Sequence, residues 1–305
     1  MSSDATATFF AATKAAGTTV EVDFGDKTIP KRYALGYWSI RGLGGPLTMM
    51  LCAAKIPFTL FLFELEKKGE NGWTSEYFAA KREFIKKYKQ PLWNLPFCVD
   101  RENERVIVQS NAIWTHLGRA CGMLDDVKNN DTTLSECEEL LGEIYDLRNV
   151  MTGHVYGTRE DDPTHVLANA RDHLKKLEGW LELQALEDSS SSSSSVVVHL
   201  VNGKFTPPDF HLWELLDQFE GLAKEVNRID DFFQDLPRIK AFKDGFAKLP
   251  ENSFYLNSWL HKELPMYHFE SLTPGPKTYI HGESAQNATW RNKGIVELSP
   301  SLSEL

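Results

Sequence analysis

The sequence has few cysteines, and their spacing gives them no metal or redox signature. The 305 residues include four cysteines, Cys52, Cys98, Cys121 and Cys137, and no two of them form a CxxC pair. Such a pair is the usual mark of a zinc site or a dithiol redox centre. The nine histidines form no HExxH motif either. We therefore expect inert buried thiols, no metal site and a reducing compartment.

An excess of positive charge is also missing. The formal net charge is −10, whereas binding to a nucleic-acid backbone needs clustered Lys and Arg. The longest apolar run, near residues 47–54, is far short of a membrane span. No basic residue precedes Lys14 and no arginine precedes Arg32, which argues against a secretory signal and a transit peptide. We expect a cytoplasmic protein without a nucleic-acid partner or a membrane span.

What is present is an ordinary globular composition, 42% hydrophobic and 25% charged, in a chain long enough for two domains. Between Arg32 and Cys121 the apolar pattern predicts strand, helix, strand, helix, strand, strand and helix. A βαβ unit followed by a ββα unit gives a four-stranded mixed sheet with helices on both faces. The first part of the chain is therefore predicted to be an α/β thioredoxin-like domain.

The pattern becomes wholly helical after Asp126, which predicts an all-α bundle. The predicted helices are 134–158, 163–186, 209–227, 237–248 and 252–262. The segment FTPPDF (205–210) has a helix-start signature, with Thr206 as the cap, Asp209 reaching back and Phe205 packing on Phe210. Seven consecutive serines (189–195) favour a solvated loop over a phosphorylation site. The predicted organisation is an extension (1–30), a thioredoxin-like domain (31–123), a helical domain (128–270) with an insertion (187–198), and a tail (271–305).

Three features of the first domain point to one ligand. The strand that starts near Arg32 ends on Tyr37 just before a turn, although a tyrosine at a strand end is more often packing. The segment NLPF (94–97) places Pro96 at a strand start, suited to a cis peptide and an open backbone edge. Gln109 and Ser110 open a helix, whose free amides favour a carboxylate. A short acidic peptide that carries a thiol would use all three.

These motifs resemble those of the cytosolic glutathione transferases, most closely the mu-like class. The resemblance rests on LGYWSIRGL (35–43), NLP (94–96) with Asp100, QSNAI (109–113) and FTPPDF (205–210). The four motifs occur in the family's order and separations, and the similarity covers roughly residues 32–270.

The resemblance implies glutathione as co-substrate, a hydrophobic electrophile as second substrate and a homodimer. Tyr37 matches the catalytic tyrosine of the family, Asp146 a residue that reaches the partner subunit's glutathione, and Tyr156 a residue that faces the second substrate. Lys81 and Tyr77, four residues apart, match a lysine and an aromatic residue of the mu-like pattern. The segment that precedes them, residues 66–72, is longer than in that pattern. The implied glutathione-binding residues are Tyr37, Trp38, Arg41, Tyr77, Lys81, Asn94, Leu95, Pro96, Gln109 and Ser110, with Asp146 from the partner subunit.

The implied chemistry is activation of a thiol by a phenol. A thiol with a pKa of about 8.5 is only a few per cent thiolate at neutral pH. A hydrogen bond to a charged group contributes about 1.5–3 kcal/mol, which lowers that pKa by about one to two units. We therefore expect a glutathione transferase that adds alkyl or aryl groups to glutathione. A glutathione-dependent isomerase or peroxidase, or a non-catalytic glutathione-binding or structural protein, are the alternatives.

Overall fold

The computed structural model describes residues 19–25, 28–64, 66–68, 72–124, 131–156, 163–188, 198–227, 229–262 and 264–267. The serine run, the predicted tail and the first part of the predicted extension lie outside the described residues. The α/β part contains strands β1 (Thr19–Phe24), β2 (Tyr33–Trp38), β3 (Phe58–Phe63), β4 (Glu66–Lys68), β5 (Gly72–Thr74), β6 (Phe97–Asp100) and β7 (Arg105–Val108). Its helices are α1 (Gly44–Ala53), α2 (Glu76–Tyr88) and α3 (Ser110–Ala120).

The helical part begins at Asp131. Its helices are α4 (Asp131–Tyr156), α5 (Pro163–Asp188), α6 (Pro207–Asn227), α7 (Pro237–Ala247), α8 (Ser253–Asn257) and α9 (Trp259–Lys262), with a 3-10 turn at Pro250–Asn252. The long predicted helices are present, and the last one is broken into a 3-10 turn and two short helices. Among the described residues, no helix combines the length and the apolar character needed to cross a membrane.

The main sheet has five described strands in the order β1-β3-β2-β6-β7. Strands β2 and β3 are parallel, and every other neighbouring pair is antiparallel. The mixed sheet was predicted with four strands, and the fifth, β1, lies in the stretch that we expected to be a weakly structured extension. Val22 and Phe24 of β1 are fully buried. Burial of these two side chains and the backbone pairing with β3 explain why this stretch is ordered.

The two faces of the sheet carry separate layers of the core, because successive side chains of a strand point to opposite sides. Leu35, Leu60 and Leu62 face α1, α3 and the helical bundle. On the other face, Phe61 and Phe63 pack with α2. The predicted arrangement, with helices on both faces of a mixed sheet, is confirmed.

Helix α6 begins with the hydrogen bonds that the sequence predicts. One Asp209 oxygen accepts hydrogen bonds from the Thr206 N–H at 2.7 Å and hydroxyl at 3.0 Å, and the other accepts from the Leu200 N–H at 2.7 Å. Phe205 stacks on Phe210 with ring centroids 5.5 Å apart. All of the Asp209 side chain is buried, so these bonds replace water for an otherwise costly carboxylate. These bonds fix the start of α6, a helix that also packs against α1 and α3.

Candidate active site

A cavity of about 480 Å³ opens beside the end of β2. This volume suits a small organic ligand. Both parts of the chain contribute to its walls, which are formed by Tyr37, Trp38, Ile40, Leu43, Phe78, Asn94, Leu95, Pro96, Gln109, Ser110, Tyr145, Arg148, Tyr156 and Tyr267.

The sheet and a glycine-rich turn fix the position of Tyr37. Its backbone pairs with Leu62 of β3, and its side chain is 5% exposed. A Cβ atom added at Gly42 would lie 2.6 Å from the Tyr37 hydroxyl, and one added at Gly44 would lie 2.5 Å from its ring. Gly42 also has a φ of +36°, which L side chains rarely adopt. The turn therefore approaches the phenol closely only because these positions are glycines.

The Tyr37 hydroxyl is a neutral donor. Burial raises its pKa, while the Arg148 side chain and the Leu43 backbone N–H, which donate hydrogen bonds to the oxygen, lower it, and the net direction is upward. As a neutral phenol, Tyr37 keeps a hydroxyl proton that it can donate in a hydrogen bond. The cavity is the space beside it.

Polar groups from the loop before β6 and from the start of α3 form another part of the wall. The Leu95–Pro96 peptide bond is cis, as the sequence predicts. Gln109 has φ 71° and ψ 124°, an unusual backbone conformation for a residue with a side chain. It immediately precedes Ser110, the first residue of α3. The free backbone amides at this helix start favour an anion such as a carboxylate.

Aromatic rings form the remaining walls. Phe78 of α2 packs against Trp38 with ring centroids 6.0 Å apart. Tyr267, which follows α9, packs edge-on against Tyr156 of α4 at 5.8 Å. Its hydroxyl donates to Gln218 of α6. The cavity therefore has a polar side from the α/β part and an aromatic side that includes α4.

Eight of the twelve predicted site residues line the cavity: Tyr37, Trp38, Asn94, Leu95, Pro96, Gln109, Ser110 and Tyr156. Arg41 requires a correction. It was expected to support the glutathione site, but its fully buried side chain pairs with Glu214 at 3.0 Å and Asp217 at 2.6 Å, both in α6. Two carboxylates therefore neutralise this guanidinium. Arg41 is absent from the cavity wall, and its ion pairs instead join the α/β part to the helical part.

Three other predicted residues lie outside the cavity wall. Tyr77 is 3% exposed and packs on Trp38 at 5.0 Å. The Lys81 ammonium lies 5.9 Å from the centre of the Tyr77 ring. Asp146 is exposed on α4. The binding roles of these three residues stay predictions.

The sequence reasoning missed Arg148, Tyr145 and Tyr267. Tyr145 and Arg148 share a helix with Tyr156 at spacings of three and eight residues, which place all three on one helical face. This periodicity, counted back from Tyr156, was the available signal. Tyr267 had no comparable signal. It lies after α9, outside any helix or strand, so no periodic pattern relates it to the other cavity residues.

Comparison with known proteins gives a consistent result. Residues 145–259 match the family model described as "Glutathione S-transferase, C-terminal domain". The chain is 27% identical over 239 residues to "Glutathione S-transferase class-mu 26 kDa isozyme 51" of Fasciola hepatica, covering 74% of this chain and 93% of that protein. It is 27% identical over 241 residues to "Glutathione S-transferase Mu 3" of Homo sapiens, covering 76% and 91%.

Solved structures share the fold. The crystal structure of a glutathione S-transferase, Blo t 8, has a TM-score of 0.56 at 24% identity and covers 81% of this chain and 99% of that chain. The Pi-class glutathione S-transferase of Onchocerca volvulus has a TM-score of 0.58 at 20% identity, with coverages of 79% and 100%. The predicted resemblance to the mu-like glutathione transferases and the predicted fold are confirmed.

Proposed function

We propose that this chain, which is similar to mu-class glutathione S-transferases over about three quarters of its length, transfers glutathione to hydrophobic electrophiles and uses Tyr37 to activate the thiol. The observation that carries the proposal is the Tyr37 hydroxyl, which is neutral because burial raises its pKa, and which belongs to a residue of the cavity wall. The hydroxyl can therefore donate a hydrogen bond to a ligand in the cavity.

The hydroxyl acts as a fixed hydrogen-bond donor to the glutathione sulfur. Stabilising the thiolate by about 1.5–3 kcal/mol lowers the thiol pKa by about one to two units, so that about half or more is ionised at neutral pH. The thiol proton leaves to solvent, and the sulfur then attacks the electrophile. A C–S bond forms, and the leaving group departs with the electrons of the bond that breaks. Tyr37 keeps its own proton throughout, in agreement with its raised pKa.

The polar side of the cavity suits the rest of the tripeptide. The backbone of Leu95 is available for strand-like pairing with the cysteinyl unit. Gln109 and Ser110, at the start of α3, suit the γ-glutamyl carboxylate. Asn94 lies on the same wall, and the aromatic side near Tyr156 then receives the electrophile. Homodimer formation, with Asp146 reaching the partner subunit's glutathione, is part of the same proposal.

The test is replacement of Tyr37 by phenylalanine. We expect Tyr37→Phe to bind to immobilised glutathione like the wild type but to turn over a chlorinated dinitrobenzene about 10- to 100-fold more slowly, the equivalent of one charge-assisted hydrogen bond. Tyr33→Phe is the matched control, because Tyr33 lies on the same strand, is 3% exposed and is absent from the cavity wall.

Unchanged turnover in Tyr37→Phe would refute the mechanism. Wild-type protein that binds glutathione but converts neither halogenated aromatics, hydroperoxides nor isomerisable ketones would favour the non-catalytic alternative. Hydroperoxide or ketone turnover without conjugation would identify the peroxidase or isomerase.

A further inference from the structure

We propose that Arg148 selects electrophiles that carry an anionic group, such as a carboxylate on an aromatic ring. This inference rests on the proposed function and concerns the second substrate. Arg148 is half-buried, lines the cavity with Tyr37, and lowers the pKa of the Tyr37 hydroxyl through its charge. Its side chain thus lies beside the reacting centre as well as beside the space for the electrophile.

The charge of Arg148 has no carboxylate partner among the described residues. Arg32, Arg41 and Arg171 each form an ion pair with a carboxylate at 3.0 Å or less. The Arg148 Cζ lies 5.8 Å from the centroid of the Tyr145 ring, and the Arg148 charge lowers the pKa of Tyr37, Tyr267 and His211. A guanidinium carries five N–H donors, so donors remain for a ligand in the cavity.

The position of Arg148 assigns it to the second substrate rather than to glutathione. The lining residues suited to glutathione, from Asn94 to Ser110, belong to the α/β part. Arg148 belongs to α4, on the same helical face as Tyr145 and Tyr156. A cation among tyrosine rings suits a planar aromatic anion. The tyrosine rings can pack against the aromatic ring of the ligand, and the guanidinium can bind the ligand's carboxylate through two hydrogen bonds.

A matched pair of substrates isolates the charge. 4-Chloro-3-nitrobenzoate and 4-chloro-3-nitrobenzamide have nearly the same shape, and only the first is anionic. In both, the glutathione sulfur attacks the ring carbon that carries chlorine, a C–S bond forms, and chloride leaves with the electrons of the C–Cl bond. The measurement is kcat/KM for each compound, divided by its uncatalysed rate with glutathione, in the wild type, Arg148→Leu and Arg148→Lys.

We expect the wild type to favour the benzoate. Arg148→Leu should lower the ratio of kcat/KM for the benzoate to kcat/KM for the benzamide by about 10- to 100-fold, the equivalent of one charged hydrogen-bonded pair; any effect through Tyr37 falls on both compounds alike and cancels in this ratio. Arg148→Lys should recover part of the loss, because lysine keeps the positive charge but lacks the paired N–H donors of the guanidinium. Arg119→Leu is the control for net charge, since Arg119 is exposed near the end of α3 and lies outside the cavity wall.

Titration of the thiolate absorbance of bound glutathione, without any electrophile, separates the outcomes. A wild-type preference for the benzamide, or equal losses for both compounds in Arg148→Leu, would overturn the inference. Equal losses together with a raised thiol pKa would show that Arg148 acts on the thiolate instead. If the wild type binds no glutathione or converts neither compound nor a chlorinated dinitrobenzene, the proposed function itself fails.

Discussion

At the scale of single residues, the chemistry of Tyr37 depends on its surroundings. Burial raises the pKa of the phenol, whereas hydrogen bonds from Arg148 and the Leu43 N–H lower it, and burial prevails. Gly42 and Gly44 leave the space that lets the turn contact the ring. A phenol in this setting donates a proton to a hydrogen bond but does not give it up near neutral pH.

This setting predicts the pH dependence of activity. With glutathione saturating and the electrophile limiting, turnover should rise with pH through the pKa of the bound thiol, because the thiolate is the nucleophile. In Tyr37→Phe the rise should move upward by about one to two pH units, since the donor that favours the thiolate is gone. Direct titration of the bound thiol should give the same displacement. A rise at the same pH in both proteins would mean that another group stabilises the thiolate.

At the scale of elements, β1 is integral to the sheet. It pairs antiparallel with β3 over six residues, from Thr19 to Phe24. Phe24 stacks on Phe58 with centroids 4.3 Å apart and meets Phe254 of α8 edge-on at 6.2 Å. One strand thus covers the edge of β3 and contacts the helical part as well.

Truncation of Phe24 tests this role of β1. We expect Phe24→Ala to lower the free energy of unfolding by about 3–5 kcal/mol, because a fully buried ring is lost and a cavity remains. Ile29→Ala is the control, since Ile29 is nearby and 48% exposed, so its loss should cost well under 1 kcal/mol. Urea unfolding followed by fluorescence gives both values. A difference of less than 1 kcal/mol between the variants would mean that β1 contributes little to stability.

At the scale of the whole molecule, the turn after β2 ties the α/β part to the helical part. The Arg41 side chain pairs with Glu214 and Asp217, and its backbone N–H donates to the Pro265 carbonyl at 2.8 Å. Gly42 N–H donates to the Met266 carbonyl at 3.1 Å. The segment that carries Tyr267 into the cavity is therefore bonded to the turn that follows Tyr37. Cavity shape and domain contact depend on the same residues.

Removal of the Arg41 charge should weaken the molecule. Arg41→Met leaves the buried Glu214 carboxylate and the half-buried Asp217 carboxylate without their main cation, which costs about 3–5 kcal/mol. The double variant Arg41→Met with Glu214→Met should recover part of the loss, because one buried carboxylate is removed with its partner. Urea unfolding of the two variants measures this difference. Equal stability of Arg41→Met and the wild type would show that the ion pairs make no net contribution.

The same ion pairs imply a dependence of stability on pH. Burial raises the pKa of Asp217, but Arg41, together with His261, lowers it further, and the net pKa lies below the ordinary value. A depressed carboxyl pKa stabilises the fold at pH values above the unfolded pKa, about 4, and this contribution is lost as the pH falls below it. Between about pH 5 and pH 3, the free energy of unfolding should therefore fall more in the wild type than in Arg41→Met.

The sequence by itself determined the elements and most of the polar side of the site. Nearly continuous apolar runs define β2 and β3, and the FTPPDF segment specifies the start of α6, because these signals act between residues close in the chain. Tyr37, Leu95, Gln109 and Ser110 belong to short motifs of this kind. Only the tertiary structure decided the fifth strand, the pairing of Arg41 with α6 and the presence of Arg148 and Tyr267 in the cavity. These contacts join residues about forty to two hundred and thirty positions apart, where packing rather than local pattern selects the partner.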